Sequence, residues 1–130
     1  MTAERHKPLD LGALERSLEE HHRDLLAQIL QLTADEIALA ESRDEEGGAM
    51  GDLGDIASDL VEQEIDQALE EGARLQLREV DAALKRIVAR EYGNCEDCGE
   101  PIDAARLTAR PWARRCLPCQ QAAERRGRRR

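Results

Sequence analysis

The sequence predicts a mainly α-helical protein: an antiparallel coiled-coil helical hairpin on a small four-cysteine module, closed by a short C-terminal helix. Three observations predict it. Apolar residues recur at threes and fours through two long stretches. A glycine-rich run separates those stretches. All four cysteines lie between Cys95 and Cys119, as two C-x-x-C pairs seventeen residues apart.

Residues 1–9 are polar, contain Pro8 and read as a leader. Asp10 is placed to cap a helix beginning at Leu11. Leu11, Leu14, Leu18, His21, Leu25, Ile29, Leu32 and Ile37 then form a stripe close to a heptad seam, so a first helix is expected from about 10 to the low 40s. Gly47, Gly48, Gly51 and Gly54 disfavour a continuous helix and mark a tip at about 43–57. The stripe resumes at Ile56, Leu60 or Val61, Ile65, Ala68 or Leu69, Gly72, Leu75 or Gln76, Val80, Ala83 or Leu84, and Ile87. A second helix is expected over 55–91, stopping before Gly93. Residues 10–91 thus read as one hairpin, an arm about 45 Å long at ~1.5 Å per residue. The alternative is two chains pairing as a coiled coil. The glycine-rich turn favours the intramolecular hairpin and a monomer.

Residues 92–130 continue without a flexible linker and hold the cysteines. Two C-x-x-C pairs at this separation are a strong four-thiolate zinc signal, because each pair offers two sulfurs from one turn to a single ion. Gly99 after Cys98 suits a turn with positive φ, while Pro101, Pro111 and Pro118 stiffen the loop. The competing readings are disulfides or free thiols, and nothing marks the chain as secreted. Cys95, Cys98, Cys116 and Cys119 are therefore expected to hold one zinc ion. A closed four-cysteine site has no open coordination position, so the ion is structural. A module of about 40 residues needs such a staple. Trp112 is expected to plug it, and Gln120 to Arg126 to form the short helix before the Arg128–Arg130 tail.

Charge is uneven. Residues 1–90 carry 22 acidic and 10 basic side chains, a net −12, whereas residues 91–130 carry 6 and 9, a net +3. An acidic arm does not bind nucleic acid by neutralising phosphate, so no direct sequence-specific DNA binding is expected. No apolar run approaches the ~20 residues of a membrane helix, and the N-terminus has no signal-peptide core. A cytoplasmic protein is expected. No nucleophile triad, phosphate loop or carboxylate cleft is discernible, so no enzyme is expected. His21 and His22 are read as packing residues, one toward the seam and one toward water. The run Arg114, Arg115, Arg125, Arg126, Arg128, Arg129 and Arg130 suits phosphate and equally suits a solvated tail.

The tip gathers acids: Asp44, Glu45, Glu46, Asp52, Asp55 and Asp59. Asp52 or Asp55 can cap the second helix, where the helix dipole favours negative charge. The same carboxylates can also act on a metal or a basic loop inside a channel.

Hairpin, tip Asp52-x-x-Asp55-x-Ala57 and a C-x-x-C-x17-C-x-x-C finger together resemble the DksA/TraR family of bacterial transcription regulators. The segment Tyr92 to Ile102, followed by Arg106, Leu107, Ala109, Arg110 and Pro111, is similar to that family's finger. The resemblance covers roughly residues 10–126. It implies a partner, RNA polymerase, whose secondary channel the hairpin enters while the finger sits on the rim. It implies that Asp52, Asp55 and Ala57 act near the polymerase active site and shift open-complex stability. It also implies a link to the alarmone ppGpp, with Arg106 and Arg110 matching contacting arginines. Glu79 and Gln120 stand where the well-known form has lysines, which weakens that expectation. Two other readings remain: a zinc ribbon that binds nucleic acid through its arginine tail, and a thiol-based redox sensor whose oxidation releases zinc.

Overall fold

The computed structural model describes residues 9–45 and 53–128. Four helices succeed one another: α1 (Leu11–Glu45), α2 (Leu53–Val88), α3 (Ala104–Ala109) and α4 (Leu117–Arg128). An isolated antiparallel bridge joins Asn94 and Pro101. The chain divides into two compact units, one of Met1–His22 with Arg78–Arg130, the other of Arg23–Leu77. The unit carrying the cysteines therefore takes in the first turns of α1 and the last of α2, not residues 92–130 alone.

In the cysteine unit, Asp10 caps α1 as expected. Its carboxylate accepts the N–H of Ala13 at 3.0 Å. Leu14 and Leu18 from α1 and Val80 and Ala83 from α2 are buried together with Tyr92, Ile102, Leu107, Pro111 and Ala113. Tyr92 keeps its polar end satisfied by donating its hydroxyl to the Pro111 carbonyl at 2.8 Å, and burial pushes its pKa up to about 12. Arg86 Nη2 reaches the carbonyls of Trp112 and Ala113, both at 3.4 Å, fastening the end of α2 to the finger. Of the two histidines, His21 packs as expected and His22 departs from expectation. His21 packs edge-on against Trp112, ring centroids 5.1 Å apart, and its Nδ1 lies 2.7 Å from Ser17 O. His22 is not turned to water alone: its Nε2 lies 3.1 Å from Asp81.

The second helix ends earlier than expected, at Val88 and not 91. The stop is made by Arg90, whose φ of 62° is left-handed. Its N–H bonds Ile87 O at 3.1 Å, and the N–H of Glu91 bonds Arg86 O at 2.8 Å. Those two bonds are the pattern of a Schellman cap, which normally recruits glycine. The nearest glycine, Gly93, serves a different turn: its φ is 95°, and a Cβ there would meet Leu9 Cδ1 at 3.0 Å.

In the unit Arg23–Leu77, the stripe of α1 holds at Leu25 and Ile29, both buried. The stripe of α2 does not. Ala73 is its one buried apolar residue among the described positions, while Ile56, Leu60, Val61, Ile65 and Leu69 are about half exposed. Asp59, Gln63, Asp66 and Glu70 are half-buried in their place. Thr33 Oγ1 donates to Glu70 Oε1 at 3.3 Å across the two helices. Spacing alone chose the wrong face because both faces of α2 repeat at threes and fours. Polar groups that pair with one another remain compatible with the inner one.

Candidate metal centre

The four cysteines come together. One sulfur from each of Cys95, Cys98, Cys116 and Cys119 lies within 4.8 Å of the others. Cys98 Sγ and Cys116 Sγ are 3.8 Å apart, far beyond a disulfide bond. Tetrahedral thiolates at a Zn–S distance of about 2.3 Å would be separated by about 3.8 Å along each edge. The donor set thus fits one ion of that size and softness.

Local backbone explains how each pair is presented. Cys95 N–H bonds Glu100 O at 2.8 Å and Gly99 N–H bonds Cys95 O at 2.9 Å, closing a turn whose Gly99 has φ 77°. That positive φ is the one the glycine supplies without a Cβ penalty. Ile102 N–H bonds Gly93 O at 2.8 Å, making the short bridge that frames the first pair. The second pair opens α4, with Gln120 N–H on Cys116 O at 2.9 Å.

The electrostatics call for a cation. Cys95 is the buried member. Desolvation raises its pKa, but the backbone N–H groups of Cys116, Cys98 and Asp97 outweigh burial and bring it to about 6. The Cys119 thiol, crowded by the sulfurs of Cys116 and Cys95, is pushed up to about 12. Four sulfurs this close cannot all ionise beside one another. A divalent ion removes the conflict by binding all four as thiolates, and zinc supplies folding stability in this way.

Residues beside the cysteines lock the two pairs together; sequence patterns mark Arg106, Arg114 and Arg115 only for phosphate or a solvated tail and leave Glu96 and Asp97 unmarked. Arg115 Nε lies 2.8 Å from Asp97 Oδ2, and its Nη2 lies 3.2 Å from Glu96 Oε1. Arg114 Nε is 3.3 Å from the same Glu96 oxygen, and Glu96 N–H bonds Arg114 O at 2.9 Å. Arg106 Nε donates to Arg115 O at 3.1 Å. The visible signal was an acidic doublet inside one C-x-x-C and a basic doublet immediately before the other. Helix α3 was missed as well. Asp103 caps it through a 3.4 Å bond from Ala105 N–H, ahead of the helix-favouring run Ala-Ala-Arg-Leu.

The other candidate residues lie in several places. Arg106 and Arg110 line one open cleft of about 460 Å³ beside Cys116, Leu117 and Pro118. Glu79 is half-buried on α2, and Gln120 Nε2 donates to Glu124 at 3.2 Å. Asp55 and Ala57 are exposed in the first turns of α2. Asp52 and the tip glycines Gly47, Gly48 and Gly51 lie outside the described residues, as do Arg129 and Arg130. Among the described residues no helix is long and apolar enough to cross a membrane.

Comparison with known proteins agrees with this geometry. Residues 90–125 match the prokaryotic dksA/traR C4-type zinc finger. An RNA polymerase-binding transcription factor DksA of Caulobacter vibrioides is 32% identical over 114 residues, 88% of this chain and 80% of its own length. The protein of the same description in Escherichia coli K12 is 37% identical over 51 residues, 39% of this chain and 34% of its own. Among solved structures, transcription factor DksA2 from Pseudomonas aeruginosa superposes with a TM-score of 0.52 at 33% identity, covering 94% of each chain. The solution structure of a DnaK suppressor protein from Agrobacterium tumefaciens gives 0.59 at 28% identity, covering 89% of this chain and 96% of its own. With its helical fold, its four-cysteine centre and a relative matched along most of both chains, the protein belongs to the DksA/TraR family.

Proposed function

We propose that the protein is a non-enzymatic regulator of transcription initiation that acts on RNA polymerase in the bacterial cytoplasm, as a monomer. The observation that carries this reading is the kinship over 114 residues with a transcription factor described as RNA polymerase-binding. In this reading the α1–α2 hairpin enters the secondary channel, the funnel to the active site. Asp52, Asp55 and Ala57 act there, and the zinc-held module stays outside. Residues 23–77 contain 15 acidic and 3 basic side chains, a distribution suited to a basic protein channel and opposed to nucleic acid. Direct sequence-specific DNA binding is not part of the mechanism. In this reading the alarmone ppGpp meets Arg106 and Arg110 in their shared cleft, whose arginines suit phosphate. Glu79 and Gln120 add no positive charge to that contact, so the expected dependence on ppGpp is weak.

Run-off transcription with purified polymerase on a ribosomal RNA promoter, with and without the protein and ppGpp, tests the reading. Repression accompanied by competition with other secondary-channel ligands is the expected result. An unchanged transcript together with no measurable association with polymerase would exclude it.

A further inference from the structure

The two halves of the metal site are far apart in sequence, yet one side chain spans them. Arg115 immediately precedes Cys116. Its guanidinium engages Glu96 and Asp97, the only residues between Cys95 and Cys98. The Arg115 side chain is 18% exposed, less than either acid, so this pairing is better shielded than an ordinary surface ion pair. Its own backbone is held by Arg106 at the carbonyl, and its neighbour Arg114 adds one backbone bond and one ion pair to Glu96. Arg115 alone engages both acids: Arg114 reaches Glu96 only, and Arg110, Arg125, Arg126 and Arg128 form no ion pair among the described residues.

We infer that Arg115 is a positioning residue for the metal centre, bolting the first cysteine pair to the second and setting how fast zinc leaves. Release begins when one cysteine pair swings away from the other, exposing the ion to a competing ligand. Moving the pairs apart must pull Arg115 off both carboxylates, so the bolt opposes the step that opens the site. The guanidinium also places a positive charge beside a centre that carries four thiolates around one divalent ion. Lysine would keep the charge but could not engage both acids through a planar fork.

The test is zinc transfer from the loaded full-length protein to an excess of a chromophoric chelator, monitored by absorbance. Arg115→Gln is expected to speed release about fivefold, with Arg115→Lys intermediate. Asp97→Asn should act in the same direction, and the double variant should be no faster than Arg115→Gln, since both remove one bolt. Raising salt to about 0.5 M should speed the parent more than Arg115→Gln, which keeps only the more exposed Arg114–Glu96 pair. Tyr92→Phe is the control, because it weakens the same unit by removing the bond to Pro111 without touching the bolt. A general loss of stability would make Tyr92→Phe release zinc as fast as Arg115→Gln, and that result would overturn the inference. So would parental release rates in Arg115→Gln. Should that variant fail to retain zinc through purification, Asp97→Asn decides: a parental, salt-sensitive rate in it rejects the bolt.

Discussion

Glu36 of α1 faces Glu70 of α2 closely enough for a protonated carboxyl of one to hydrogen-bond the other, and Glu36 Oε1 is closed from solvent with no hydrogen-bond partner among the described residues. One proton between two carboxyls satisfies that bond. Glu36 is the holder: the bond to Glu70, desolvation and the charges of Glu70 and Asp66 raise its pKa above the ordinary 4.5, against the lowering effect of Arg74. Glu70 is held low, chiefly by Arg74, whose Nη2 lies 2.8 Å away, and then by Glu36, with Thr33 also contributing.

The two shifts have opposite consequences for stability. A raised carboxyl binds its proton more tightly in the folded state, so Glu36 stabilises fully below 4.5 and loses that contribution as pH rises through its raised value. Glu70 stabilises above 4.5 and loses its contribution as pH falls through its lowered value. The hairpin of residues 23–77 should therefore be tighter at mildly acidic pH than at neutrality, where ionised Glu36 faces Glu70 and Asp66. Thermal melts of helicity from pH 4.5 upward, with zinc retention checked in parallel, should show the parent losing stability as pH rises through the raised Glu36 value. Glu36→Gln keeps a donor to Glu70 without titrating. It should flatten the profile and raise the melting temperature at pH 7.5. An unchanged pH profile in Glu36→Gln would show that other groups control it.

Arg90 holds a left-handed backbone that L-residues adopt at a cost of about 1–2 kcal/mol. Its side chain is exposed, with no partner among the described residues. Arg90→Gly should relieve the strain while adding unfolded-state entropy. A net gain of about 0.5–1 kcal/mol in urea denaturation is the expected result. A loss of stability would mean that the Arg90 side chain contributes more to the Schellman cap than its backbone costs.

These two sites show what sequence reading reached and what it did not. The cysteines were legible because C-x-x-C spacing is itself the geometry of a turn offering two sulfurs. Leu14, Leu18, Leu25 and Ile29 were legible because α1 has one clear apolar face. On α2, Val61, Ile65 and Leu69 repeat as regularly as Asp66, Glu70 and Ala73, and periodicity does not say which face turns inward. The deciding partners, Thr33 and Glu36, are 37 and 34 positions from Glu70 in the chain, beyond any local pattern. Arg90 was missed for a different reason. A Schellman turn is recognised by its glycine, and here a non-glycine occupies the place.

Removing one donor separates the metal centre from the helices. Cys116→Ser should lower zinc content below one ion per chain and loosen the finger, while far-UV helicity falls only modestly because α1 and α2 hold most of the helical residues. Metal analysis and circular dichroism on the same sample check both parts. Stoichiometric zinc after two of the four cysteines are changed to serine would show that the ion is held elsewhere.

The tip carries the last expectation. Asp55 sits in the first turn of α2 and is exposed, and Asp59, one turn on, is half-buried. If the Asp52-x-x-Asp55-x-Ala57 motif acts within polymerase, Asp55→Asn and Asp52→Asn should abolish regulation of a ribosomal promoter while leaving association with polymerase largely intact. Binding energy in that case is spread over surfaces remote from one carboxylate. Asn preserves size and caps a helix about as well as Asp, so the stability loss is confined to the helix-dipole contribution, about 0.3–1 kcal/mol at an exposed site. A role limited to capping predicts the opposite pattern: a small drop in melting temperature and normal transcription. Asp59→Asn, outside the motif, should regulate more nearly like the parent than Asp55→Asn does. Full regulation by Asp55→Asn would remove the tip carboxylate from the mechanism and leave the hairpin a purely steric occupant of the channel.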